Sequence, residues 1–188
     1  MAVPKSVSES VVWKNIFSER SIHEGTTEQL LSTVPAFSNL STRDLKDVAA
    51  IVHLREYRAG EPVFYQGDPG LGMYIIQEGN VSIIISGSEG EDKELAILTE
   101  GDFFGELALL DESPRSATAI CKTDCRLRGF FRPDLFELIE KRPDLGIKIV
   151  LKLDEIVAKR LRRTDKEVSR LRAEIDKLEA NSNEKENG

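Results

Sequence analysis

The chain has 188 residues and a formal net charge of −7, from 33 Asp and Glu against 26 Lys and Arg, which disfavours broad binding to nucleic acid or anionic membrane. No apolar run approaches the roughly 18 residues of a membrane span, and the amino terminus lacks a basic-then-apolar secretory signal, so a cytoplasmic chain without a membrane contact is expected. With 40% hydrophobic and 31% charged residues it can bury one good core, and one domain with helical extensions is the expected organisation.

Residues 1–10 read as a loose tail, followed by a small apolar cluster, Val11, Val12, Trp13, Ile16 and Phe17, spaced for a short helix. Leu30, Leu31, Val34 and Phe37 continue in that manner, and Ser41-Thr42-Arg43-Asp44 reads as a capped start for a helix through Val48 to Ile51. Strands are predicted at 53–57, 63–66, 73–77, 81–85 and 95–98, each bounded by Gly, Pro, Asp or Asn. Ala117 to Ile120 and Arg126 to Phe131 supply the closing strands. Short antiparallel strands at this spacing predict an α+β, mainly β fold: a jelly-roll barrel of about eight strands, with helices before it and one long helix after it. Cys121 and Cys125 match neither a zinc ligand set nor a redox C-x-x-C, and His23 and His53 are isolated, so no metal site is expected.

Between those strands lies Phe103-Phe104-Gly105-Glu106-Leu107-Ala108-Leu109-Leu110-Asp111-Glu112-Ser113-Pro114-Arg115-Ser116-Ala117. Gly105 permits a sharp turn and close approach of the backbone to a ligand, and the residues after it can open a short helix whose free N–H groups face an anion. A carboxylate beside a phosphate would repel it, so Glu106 is suited to accepting a hydrogen bond from a neighbouring sugar hydroxyl. Arg115 can make two charge-assisted hydrogen bonds to phosphate oxygens, Pro114 stiffens the backbone before it, and Ser116 adds a hydroxyl. The alternative is that Glu106 and Arg115 form a surface ion pair with each other.

The stretch from Phe104 to Thr118 closely resembles the phosphate-binding cassette of cyclic-nucleotide-binding domains, as found in regulatory subunits of cAMP-dependent kinase, in cyclic-nucleotide-gated channels and in bacterial cAMP receptor proteins. The resemblance extends through Gly60, Gly67, Gly79 and Gly101 and covers about 31–178. It implies that Glu106 takes the ribose 2′-OH and Arg115 the cyclic phosphate. The backbone around Phe104, Gly105, Leu107 and Ala108, with Ser116 and Ala117, would close the cage. By the same resemblance Ile83, Leu95 and Ala96 line the apolar slot for the base.

Pro133-Asp134-Leu135 begins a short helix and Pro143-Asp144-Leu145 a long one, with Pro in the first turn where its missing N–H costs little. From Val157 the seam Val157, Leu161, Thr164, Val168, Leu171, Ile175, Leu178 is spaced 4, 3, 4, 3, 4, 3. That heptad puts Leu161, Val168 and Ile175 at a and the others at d, which favours a parallel two-stranded homodimer through residues 157–178. Arg160 is then expected to face Asp165 of a second copy, and Glu167 to face Arg172. A helix folded back on its own barrel is the alternative. The pattern around Thr164 resembles the dimer helix of bacterial cAMP receptor proteins, in which a seam threonine hydrogen-bonds the adenine.

The expected organisation is a tail and short helix over 1–30, the cyclic-nucleotide-binding barrel over 31–142, a helix over 143–180 and a disordered tail over 181–188. The reading is a non-enzymatic cAMP-binding module, without a resident cofactor or DNA-binding domain, that passes a helix rearrangement to an unidentified protein partner. A structural or interaction dimer that binds no cyclic nucleotide, and a cGMP-selective sensor, are the alternatives.

Overall fold

Side-chain alternation in the strands builds two cores. The computed structural model describes residues 26–87 and 91–186, with side chains as far as Leu178; the expected tail over 1–10 and the cluster Val11 to Phe17 lie outside them. Strands β1 (His53–Tyr57), β3 (Gly72–Glu78), β6 (Phe103–Phe104) and β8 (Cys125–Phe131) form one antiparallel sheet in the order β1-β8-β3-β6. Strands β2 (Pro62–Phe64), β4 (Val81–Ser86), β5 (Asp92–Leu98) and β7 (Thr118–Cys121) form the other, in the order β2-β7-β4-β5. Together they make the jelly-roll barrel.

Along β3, Tyr74 and Ile76 point into the barrel, where they meet Ile83, Leu98, Phe104 and Leu127. Met73 and Ile75 point the other way, into a second cluster with Phe37, Phe103, Phe130 and the helices. Both faces of β3 are covered, so it reads as a continuous apolar run and not as an alternating one. The two-residue strand β6 splits in the same manner, Phe103 to the helices and Phe104 to the barrel interior.

Helix α1 (Thr27–Thr33) and a 3-10 turn (Pro35–Phe37) lead to α2 (Thr42–Ala49). The Ser41 hydroxyl accepts from the Asp44 N–H and the Asp44 carboxylate accepts from the Ser41 N–H, the reciprocal cap that the sequence predicts. Helix α3 (Leu107–Leu110) follows β6, and α4 (Arg132–Lys141) follows β8.

Helix α5 (Pro143–Glu186) is a single element of 44 residues, about 66 Å long at the usual helical rise. Leu145, Ile149, Leu153, Ile156 and Arg160 are buried, so the first half lies on the rest of the fold. From Leu161 to Leu178 nearly every side chain is exposed. The helix also runs to Glu186, where the sequence reading placed a tail from residue 181. Its first half therefore does what the folded-back alternative described, and its second half presents the heptad seam.

Arg142, at the junction of α4 and α5, is tied to three carboxylates: Asp44 at 3.1 Å, Asp144 at 3.3 Å, and Asp47. Lys148 adds a second contact to Asp44 at 3.3 Å. This cluster joins α2 to the root of α5. Among the described residues, no helix is long and apolar enough to cross a membrane.

Candidate functional site

Between β6 and α3 the backbone turns at Gly105, with φ of 75°. A side chain there would meet Arg115 Nη1 at 2.6 Å and the Gly72 carbonyl at 3.2 Å, so only glycine allows the arginine this close. Arg115 Nη1 donates to the Gly105 carbonyl at 3.1 Å. Arg115 is only 8% exposed, and burial lowers its pKa against the opposing influence of Tyr74, Asp68 and Glu106. Its Nε is buried without a hydrogen-bond partner among the described residues. Among those residues it also has no ion pair within contact distance.

The Arg115 backbone is held by the loop between β2 and β3. Its N–H donates to the Asp68 carbonyl and its carbonyl accepts from the Gly67 N–H, each at 2.9 Å. Gly67 has φ of 88°, and the Asp68 carboxylate closes the loop by accepting from the Tyr65 N–H at 2.8 Å.

Glu106, the residue before α3, is buried and accepts a hydrogen bond at Oε1 from Arg160 Nη1 of α5. The alternative reading, an ion pair of Glu106 with Arg115, is not what forms: Glu106 pairs with Arg160. The expected orientation of Arg160 toward Asp165 of a second copy is corrected in the same observation. Arg160 continues the buried face of Leu145, Ile149, Leu153 and Ile156, and its guanidinium lies 5.5 Å from the Phe103 ring centroid. The heptad spacing concealed this residue. The buried stripe spaced 4, 4, 3 and 4 that ends on it is the signal that finds it.

The remaining predicted residues divide into four groups. Phe104 and Ala108 are buried, and the Ala108 N–H is already engaged by the Gly105 carbonyl at 3.2 Å. Leu107 and Ser116 are exposed beside the cassette and Ala117 is half-buried. Ile83, Leu95 and Ala96 come together on the second sheet, facing the interior cluster that holds Phe104. Consecutive residues normally alternate, but Ile83 pairs with Ala96 while Ile84 pairs with Glu94. Leu95 is the extra residue of a β-bulge, which lets both Leu95 and Ala96 pack inward. Thr164 lies one helical turn beyond Arg160 and is exposed. Among the described residues no group of His, Cys, Asp and Glu could hold a metal ion.

A buried arginine short of acceptors, a glycine turn against it and an apolar cluster that reaches it through Phe64 form a setting for an anionic, partly apolar ligand. Residues 54–142 match the family model of the cyclic nucleotide-binding domain. These residues form a domain of that family. It is 35% identical over 137 residues to the cyclic AMP receptor protein of Thermus thermophilus, covering 73% of this chain and 62% of that one. The crystal structure of the Thermus thermophilus catabolite activator protein superposes with a TM-score of 0.67 at 35% identity, over 73% of this chain and 62% of that one. The regulatory domain of Toxoplasma gondii PKA, crystallised with cAMP, gives 0.57 at 29% identity, over 62% of this chain and 46% of that one. The chain thus spans under two thirds of the length of these relatives, and the cassette Phe104 to Thr118 falls inside the family match.

Proposed function

We propose that this chain binds a cyclic nucleotide, cAMP in preference to cGMP, and acts as a regulatory binding module and not as an enzyme. The observation that carries the reading is Arg115, a buried cation whose guanidinium, among the described residues, donates to the Gly105 carbonyl and whose remaining donors suit the two exocyclic oxygens of a cyclic phosphate. Glu106 has one oxygen occupied by Arg160, and the other is the acceptor for the ribose 2′-OH. The base lies against Ile83, Leu95 and Ala96, with Leu107, Ser116 and Ala117 at the mouth.

The Thermus relative is named a cyclic AMP receptor protein and the Toxoplasma domain was crystallised with cAMP, which supports cAMP as the ligand. Binding would pull the cassette toward the phosphate, and Glu106 would carry that movement to α5 through Arg160. Two copies joined along residues 157–178 would present the change to a downstream protein. Turnover of the cyclic phosphate would need a general base or metal aimed at phosphorus, a role that this reading assigns to no residue.

Calorimetric titration with cAMP, cGMP and 2′-deoxy-cAMP tests the reading. Arg115→Ala should lose about a hundredfold or more in cAMP affinity while staying folded. Glu106→Gln should weaken cAMP binding while leaving 2′-deoxy-cAMP binding within a few-fold. No heat or thermal shift with any cyclic nucleotide would favour the structural-dimer alternative.

A further inference from the structure

A phosphate-binding arginine must be held firmly without its donors or its charge being used up. A carboxylate partner would fix the guanidinium but would also neutralise it and occupy an edge. The face of an aromatic ring orients the plane while leaving the edge donors free. Around Arg115 the second arrangement is present. Its guanidinium carbon lies 4.0 Å from the centroid of the Phe64 ring, whereas Nη1 reaches Gly105 and Nε has no partner.

The Phe64 ring is itself fixed. It lies 5.8 Å from Phe104 and 6.1 Å from Tyr74, and those two rings stack on each other at 5.6 Å. Its backbone sits opposite Ala119 in the β2–β7 pairing. Three and four residues later the same segment supplies Gly67 and Asp68, which hold the Arg115 backbone. One stretch of chain therefore grips Arg115 at both ends.

We infer that Phe64 is a positioning residue for the phosphate site, presenting the Arg115 guanidinium edge-on to the anion through its ring face. The inference rests on the cyclic-nucleotide reading above and extends it to a residue outside the cassette. A side chain that only fills the barrel can be exchanged for another apolar one with a cost in stability and little in affinity. A side chain that orients a cation through its ring cannot.

The test uses Phe64→Leu, Phe64→Met and Phe64→Tyr in the full chain. Cyclic-AMP affinity is read by calorimetry, folding by thermal unfolding, and the Arg115 side-chain N–H resonance by NMR, assigned by its disappearance in Arg115→Lys. The expected results are a loss of about five- to thirtyfold in affinity for Leu and Met, with Tyr within about threefold of the parent. In the parent the Arg115 signal should be shifted by the ring current, and the shift should persist in Tyr and collapse in Leu and Met. If one of the apolar variants does not fold, the other decides. Parent-like affinity in a folded Leu or Met variant, or an Arg115 resonance unmoved by removal of the ring, would overturn the inference alone. A parent that binds no cyclic nucleotide would overturn the underlying reading and this inference with it, whatever the resonance shows.

Discussion

Arg160 of α5 donates a hydrogen bond to Glu106 at the head of α3, joining residues 54 positions apart with both side chains largely out of water. The barrel and the long helix are thus connected at the candidate site itself. Removing one member of such a pair leaves the other charge buried, which commonly costs about 3–5 kcal/mol. Arg160→Met is expected to destabilise the protein by about 3 kcal/mol in denaturant unfolding, and combining it with Glu106→Gln should recover part of that loss. A loss under about 0.5 kcal/mol would mean that the pair is an ordinary surface contact.

Ligand choice is a separate expectation. Ser116 follows Arg115 in the cassette, and Thr164, exposed one turn beyond Arg160, is the α5 hydroxyl proposed to meet the adenine amino group. A site that hydrogen-bonds the adenine amino group faces the wrong group in guanine, at a cost of about 1–3 kcal/mol. We expect about tenfold or greater preference for cAMP over cGMP in competition binding, reduced in Thr164→Val. Equal or tighter binding of cGMP would sink the assignment. An unchanged preference in Thr164→Val would show that the base is read elsewhere.

The cassette and most strands were legible because they are written in local chemistry: a glycine with positive φ at position 105, β-branched runs, and turn residues at their ends. The capped start of α2 was legible for the same reason. Strand β6 was not, because two phenylalanines carry no period. Arg160 was misplaced because its environment depends on how α5 lies across the barrel, and a heptad drawn along one helix contains no information about that. Phe64 was visible only as a strand residue, since its partner Arg115 is 51 positions away and meets it only when β2 pairs beside β7. The helix also continues to Glu186 through a polar sequence that has no apolar periodicity to announce it.

The seam on the second half of α5 leads to a prediction about assembly. Leu161 is 60% exposed and Leu178 62% exposed, with Val168, Leu171 and Ile175 between them, a long apolar stripe for a single chain to leave in water. The expected cross-pairing of Glu167 with Arg172 has a competitor here, because Arg170 holds Glu167 at 2.7 Å and Glu174 at 3.1 Å on the same helix. Specificity would then rest on the a and d side chains more than on flanking charge. Light scattering at tens of micromolar should find a dimer, and Val168→Glu with Leu171→Glu should find a monomer with an intact barrel. A monomeric parent would remove the coiled-coil proposal.

Asp102, in the turn before β6, sets a pH dependence. Burial pushes its carboxyl up to about 6, against the lowering effect of the Thr99 N–H, which donates to Oδ2 at 2.8 Å. A carboxyl raised in the folded state holds its proton more tightly there than in the unfolded chain, where it titrates near 4. Its contribution to stability is therefore full below about pH 4 and declines as pH rises to about 6, the reverse of a salt-bridged carboxylate. Discounted for partial solvent screening, the effect is on the order of 1–2 kcal/mol. Asp102→Asn keeps an acceptor for the Thr99 N–H but does not titrate, so subtracting its stability from the parent's cancels the other carboxylates. That difference should fall between pH 4 and pH 6.5 by about this amount, and the Asp102 carboxyl carbon should titrate near 6 by NMR. A midpoint below 4, with a flat difference curve, would show that the turn keeps Asp102 hydrated.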